Sequence, residues 1–326
     1  MNNDEIMKFI QPKYSNKDLH DAYKRLMNVQ FTDKETEDAF GCSSHDNLAS
    51  DHFFFKHRIM SHRKGKQNIF ENVRKMGLEK WQQIVVSHNK TNSVKANDIT
   101  KATPRDYYTA GTAGKAPCQF KPRVASIMAK IFNPKTVIDF SAGWGDRAIG
   151  FCAKGVNYIG VDSNINLKNA YEEMSAFYNI HPAMYFQKSE TFDFSKHEYD
   201  MIFTSPPYFD TEIYEHMDQF DSYKNWSDTF LKPVVTNSWK HLSANGYMCL
   251  NIPENIYNDI KSWLGPATKF IKMYLNTYSK HEIIYCWHKT EKIEEKIEEK
   301  KEKETQMIIE NFKSFEFKDG KLYIKF

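Results

Sequence analysis

A chain of 326 residues with 40% hydrophobic and 15% aromatic residues can build one large α/β domain with an accessory segment, or two ordinary domains. It is too large to be a peptide ligand or a disulfide miniprotein. Lys plus Arg at 45 against Asp plus Glu at 42 leaves a net charge of +3, so any nucleic-acid surface must come from uneven placement of charge.

A mean hydropathy of -0.67, with no apolar run near ~18 residues, argues against a helical membrane span. Cys42, Cys118, Cys152, Cys249 and Cys286 are odd in number, scattered and free of C-x-x-C pairs, which excludes a disulfide framework and a cysteine zinc site. His181, His197, His216, His281 and His288 lack metal-type spacing and read as structural or surface residues, so no metal is expected. The start, MNNDEIMKFI, lacks the basic and apolar regions of a secretory signal. An intracellular protein is expected, cytoplasmic or nucleoid/nuclear, with no membrane partner. Nothing in the pattern encodes an oligomeric state.

Residues 1–55 carry ten acids and six basic residues, whereas residues 56–101 carry eleven basic residues against Glu71, Glu79 and Asp98. In that basic stretch Ile69, Val73 and Met76, then Trp81, Ile84 and Val85, recur at helical spacing, which predicts one or two amphipathic helices with a basic outer face. Arg63, Lys64 and Lys66 are the candidates for contact with a phosphate backbone; Phe53, Phe54, Phe55 and Trp81 read as core. The polar run Asn89 to Gly114 reads as a loop or linker.

From Phe120 the pattern changes. Val124 to Ile131 is helical in period, and short apolar strands follow at Thr136–Phe140, Tyr158–Asp162, Ala183–Gln187, Tyr199–Phe203 and Tyr247–Asn251, with helical stretches in most gaps. This alternation predicts an α/β, mostly parallel, doubly wound Rossmann-like sheet. Two closing strands, about Phe270 to Thr277 and Glu282 to His288, fit an antiparallel edge hairpin. Glu291 to Glu304 is low-complexity and charged, and Phe315 to Phe326 alternates about Asp319-Gly320 as a hairpin does. The expected organisation is a mainly helical, partly basic extension (1–105), an α/β domain (106–290), and a charged segment with a terminal hairpin (291–326).

Two constellations bear chemistry. Asp139-Phe-Ser-Ala-Gly-Trp-Gly-Asp146 runs from a strand through a glycine turn into a helix, and Asp162 ends the next strand 23 residues after Asp139. Glycines there admit close backbone approach to a ligand, and an acid at about 20 residues reaches ribose hydroxyls in nucleotide-type α/β folds. An NAD fold shares this spacing, with Ala148 at its last motif position. Thr204-Ser205-Pro206-Pro207-Tyr208 separates the two readings: it closes an apolar strand with a rigid corner whose carbonyls are acceptors, a device suited to an exocyclic amine.

With Phe120-Lys121-Pro122 ahead of the first strand, the order of these motifs resembles the S-adenosylmethionine-dependent amino-methyltransferases of DNA, whose signature is (Asp/Asn/Ser)-Pro-Pro-(Tyr/Phe). The resemblance covers about Phe120 to Lys289. It departs from the family's Phe-x-Gly-x-Gly at Ser141, with Phe140 one residue earlier. It implies a class I methyltransferase fold, S-adenosyl-L-methionine as cofactor, and DNA as partner, with cytosine N4 preferred over adenine N6. RNA base-amine methylation and a noncatalytic nucleic-acid-binding subunit are the alternatives.

By the same resemblance Ser205, Pro206, Pro207 and Tyr208 are catalytic: Ser205 Oγ and the Pro206 carbonyl take the amine hydrogens, and Tyr208 stacks on the base. Phe120, Lys121, Asp139, Ser141, Gly143, Gly145, Asp162, Ser163, Glu190 and Thr204 are implied to hold the cofactor. Within that set Asp162 takes the ribose, and Ser189-Glu190-Thr191 lies near the adenine. Trp144 is either a cofactor cover or a core aromatic. Phe209, Asp210 and Glu212 either line the base pocket or begin the next helix, the second being preferred.

Overall fold

The computed structural model describes residues 1–89, 99–112, 119–209, 212–214, 216–275, 280–290, 314–318 and 321–325. The charged run Glu291 to Glu304, the Asp319-Gly320 turn and Asp210 lie outside them. The helices are α1 (Asn3–Ile10), α2 (Asn16–Met27), α3 (Leu48–Met60), α4 (Ile69–Met76), α5 (Leu78–Asn89), α6 (Pro104–Thr112), α7 (Pro122–Phe132), α8 (Asp146–Cys152), α9 (Lys168–Tyr178), α10 (Tyr223–Trp226), α11 (Lys232–His241) and α12 (Glu254–Leu264). The strands are β1 (Ala39–Gly41), β2 (His62–Arg63), β3 (Thr136–Asp139), β4 (Asn157–Asp162), β5 (Ala183–Phe186), β6 (Met201–Thr204), β7 (Glu212–Ile213), β8 (Tyr247–Asn251), β9 (Lys269–Tyr274), β10 (His281–His288), β11 (Ser314–Lys318) and β12 (Lys321–Lys325).

Eight strands form one sheet in the order β1-β9-β10-β8-β6-β3-β4-β5. The run β5-β4-β3-β6-β8 is parallel and, counted from β3, is the 3-2-1-4-5 order of a doubly wound Rossmann-like sheet. Its switch point falls between β3 and β6. Strand β10 runs antiparallel between β8 and β9, which gives the expected antiparallel pair. An N-terminal strand, β1, pairs parallel with β9 and extends the sheet by one. Strands β11 and β12 form a separate antiparallel pair.

Successive side chains on the strands enter opposite faces, as a two-residue period dictates. Val137, Met201, Phe203 and Cys249 pack under α7, α8 and α9, whereas Ile138, Ile202, Met248 and Leu250 pack against α11 and α12. Leu19 and Leu26 of α2 and Phe54 of α3 belong to the first of these cores, so the N-terminal segment shares its interior with the sheet. Each fully buried side chain of this kind contributes roughly 1.5–3 kcal/mol. A third core joins α1, α3, α4, α5 and α6 through Ile6, Phe55, Val73, Trp81 and Tyr107.

The basic stretch forms two helices, parted at Gly77, whose φ of 80° is left-handed. The linker reading of Asn89 to Gly114 is corrected over its described part, because α6 occupies Pro104–Thr112. Thr103 and Asp106 cap each other there: Asp106 accepts from Thr103 N at 2.8 Å, and Thr103 Oγ1 accepts from Asp106 N at 3.3 Å. Pro104 at the first helical position needs no donor, and Trp81 Nε1 donates to the Tyr107 carbonyl at 3.0 Å. A polar surface hid a helix whose inner face is Tyr107 and Ala110.

Candidate active site at the carboxyl edge of the sheet

The carboxyl ends of β3, β4 and β6 open onto a cavity of about 380 Å³ at the switch point, where ligands of open α/β sheets bind. Phe120, Ser141, Gly143, Asp162, Ser163 and Glu190 line it from the glycine-turn side, and Ser205, Pro206, Pro207 and Tyr208 from the other. Arg63 reaches its mouth.

Gly143 adopts φ 61°, and its peptide is fixed at both ends. Its N–H donates to Asp162 Oδ2 at 2.8 Å, and its carbonyl accepts from the Tyr171 hydroxyl at 2.9 Å. Asp162 Oδ1 also accepts from Asn164 N at 2.9 Å. Burial raises the Asp162 carboxyl above the ordinary range, opposed by these two amides. Glu190, in the turn Ser189–Thr191, is raised for the same first reason.

Four sequence assignments need correction. Asp139 is fully buried and does not line the cavity; it accepts from Arg147 Nε at 2.5 Å, Tyr158 Oη at 2.7 Å and Ser141 N at 3.1 Å. Arg147 in turn donates to the Ser141 carbonyl and lies over the Phe120 ring at 5.1 Å. The pair therefore braces the turn from behind: burial opposes the Arg147 charge, and Asp139 outweighs it. Gly145, at φ 74°, faces α3, where a Cβ would sit 2.6 Å from the Phe54 ring. Thr204 is buried within β6, and Lys121, just before α7, is not among the residues that line the cavity.

Phe209 and Glu212 do not begin a helix. Phe209 turns at φ 53°, and Glu212–Ile213 forms a short antiparallel ladder with His62–Arg63. The exposed turn carrying Arg63, Lys64 and Lys66 is thereby tied to the segment that follows the diproline corner, with the Lys64 ammonium 6.0 Å from the Phe209 ring centroid. His216, read as structural or surface, lines the cavity with its ring 3.1 Å from Asn166 Nδ2. Trp144 both lines the cavity and packs on Tyr214 at 5.6 Å.

Asp146, which ends the glycine-turn motif but was given no role there, and Gln119 and Asn251, which carried no sequence signal, also line the cavity. Asp146 accepts from Ser50 Oγ and, at 2.8 Å, from Gln119 Nε2. Burial nonetheless pushes its pKa up to about 7. Between about pH 4 and 7 the folded chain holds a proton that the unfolded chain releases, so this group's contribution to stability declines as pH rises through that window. Asp146→Asn keeps the acceptor oxygen and removes the charge. We expect it to raise Tm by roughly 5 °C at pH 8 and to have no effect near pH 4. Equal shifts at both pH values in thermal melts would show that the carboxyl does not titrate in the fold.

Among the described residues, no group of His, Cys, Asp or Glu could hold a metal ion, and no helix is long and apolar enough to cross a membrane. No family model and no curated protein matches the chain. Among solved structures, it is similar to a SAM-dependent methyltransferase from Agrobacterium tumefaciens, with 11% identity over 54% of this chain and 64% of that one and a TM-score of 0.42. A methyltransferase from Pyrococcus furiosus gives 18% identity over 52% and 83%, with a TM-score of 0.40. TrmN from Thermus thermophilus gives 12% over 52% and 49%, with a TM-score of 0.39, so the chain spans about half of that protein.

Proposed function

We propose that this chain is an S-adenosylmethionine-dependent methyltransferase acting on an exocyclic amine of a nucleobase in DNA, cytosine N4 in preference to adenine N6. The observation that carries this reading is the meeting of two motif ends in one cavity, Asp162 closing β4 on one wall and the Ser205-Pro206-Pro207-Tyr208 corner closing β6 on the other. Asp162 and Glu190 line the cavity on the glycine-turn side, and Gly143 leaves room for close backbone approach of a nucleoside. The cofactor, when bound, supplies a methyl carbon made electrophilic by the adjacent sulfonium.

Asp162 would accept from the ribose hydroxyls and the Ser189–Thr191 turn would lie along the adenine. The exocyclic nitrogen is a poor nucleophile because its lone pair is delocalised into the ring. Ser205 Oγ and the Pro206 carbonyl would accept its two hydrogens, favouring a pyramidal nitrogen and stabilising the positive charge it gains. Tyr208 would lie against the base, which must be unpaired or flipped to enter.

Incubation with labelled S-adenosylmethionine and DNA or RNA, digestion to nucleosides and mass spectrometry test the reading. N4-methylcytosine in DNA is the expected product. N6-methyladenine alone overturns the cytosine preference, a methylated ribonucleoside overturns DNA, and no product with no cofactor binding overturns methyl transfer.

The exposed Arg63, Lys64 and Lys66 turn at the cavity mouth would hold the phosphate backbone. Reversing all three to Glu is expected to weaken nucleic-acid binding and to flatten the slope of log K against log salt by about 3. An unchanged slope in a salt titration would remove this turn from the interface.

A further inference from the structure

Ser205 lies beside two groups that decide which way its proton points. The Tyr208 hydroxyl is 2.7 Å from the Asn251 main-chain carbonyl and 3.4 Å from Asn251 Oδ1, and Ser205 Oγ is 2.8 Å from the same phenol oxygen. A phenol has one proton, and a carbonyl only accepts. The Tyr208 proton is therefore committed to Asn251, and the Ser205–Tyr208 contact is filled by the serine proton.

These partners are rigid. Asn251 is the last residue of β8, 3% exposed, and its amide donates to the Ile283 carbonyl of β10 at 3.3 Å. The pairing of Thr204 with Leu250 sets Ser205 next to it, and the two prolines fix the corner.

Resting on the proposed methyl transfer, we propose that Tyr208 and Asn251 are positioning residues that turn Ser205 Oγ into an obligate acceptor toward the cavity. The site then selects a substrate atom bearing hydrogens, an exocyclic –NH2, over one that offers only lone pairs, such as a carbonyl oxygen. The Tyr208 ring does not enter this role; its hydroxyl does.

A double-mutant cycle tests the assignment. Tyr208→Phe keeps the ring and frees the serine proton to rotate; kcat on DNA should fall about tenfold, with cofactor affinity within about twofold of the parent. In a Ser205→Ala background the same change should cost less than about twofold, since no proton remains to orient. In equilibrium binding, preference for a cytosine-containing over a uracil-containing single strand, an amine exchanged for a carbonyl, should narrow by about tenfold in Tyr208→Phe.

Parental kcat in Tyr208→Phe, additive losses in the double variant, or an undiminished cytosine preference each overturn the proposal. If Tyr208→Phe does not fold, Ser205→Ala carries the binding comparison alone, and an undiminished cytosine preference there overturns it too. Absence of methyl transfer by the parent would be a failure of the proposed function instead, and is read separately.

Discussion

Replacing Ser205 by alanine is expected to lower kcat by about 10²–10³ while leaving S-adenosylmethionine affinity within about twofold of the parent. The size follows from the role. An acceptor aimed at charge that develops only in the transition state is worth about as much as one donor of an oxyanion hole, with the sign reversed. Ser205 sits at the end of β6, across the cavity from the Asp162 wall, and its hydroxyl is bonded to Tyr208 and not to the glycine turn among the described residues, so its loss leaves that turn and its ties intact. Single-turnover rates with saturating cofactor, beside calorimetric titration of the cofactor alone, make the check. Parallel losses in both measurements would mean that Ser205 supports the cofactor and does not act on the amine.

Asp162→Ala should give the opposite division: cofactor affinity about 10²-fold weaker and kcat at saturation changed by less than about fivefold. Two effects add here. The ribose loses its acceptor, and the N–H groups of Gly143 and Asn164 lose theirs, each orphaned donor costing about 1–3 kcal/mol if it stays buried. Gly143 then keeps its left-handed φ of 61° without the bond that holds it, so the turn is free to relax away from the ligand. Titration of the cofactor into the variant and a rate at saturation separate the terms. A variant that binds normally but turns over slowly would move Asp162 from the cofactor to the chemistry.

The elements that decide the architecture were legible because each is local. A β-branched strand, a glycine turn and a following helix lie within a few residues of each other in β3 and α8, and the diproline corner directly follows β6. What stayed hidden depends on distant partners. Asp139 reads as a ligand residue in its motif, yet Arg147 and Tyr158 occupy its carboxylate; an arginine eight residues on, the second residue of α8, was the available signal. Gly145 reads as a gap for the cofactor, but the space beside it belongs to Phe54, which reaches it from α3. Asp146 meets Ser50 across 96 residues, a contact that no window of sequence contains. The helix expected at Glu212 does not form because the segment after the diproline corner pairs with His62–Arg63 instead. Helix α6 escaped because a short amphipathic turn with a polar face looks like a linker until Trp81 is set against it.

Strand β1 has a bearing on solubility. The outermost strands of the sheet are β1 and β5, three and four residues long. Behind β1 lies β9, six residues with Ile271 and Met273 buried in the core, whose outward amides and carbonyls are a template for any passing extended peptide. β1 covers Lys272–Tyr274 of it, which shortens the open ladder that could seed stacking between molecules. Loss of residues 1–41 would uncover that template and favour amyloid-like self-association over a merely weakened monomer.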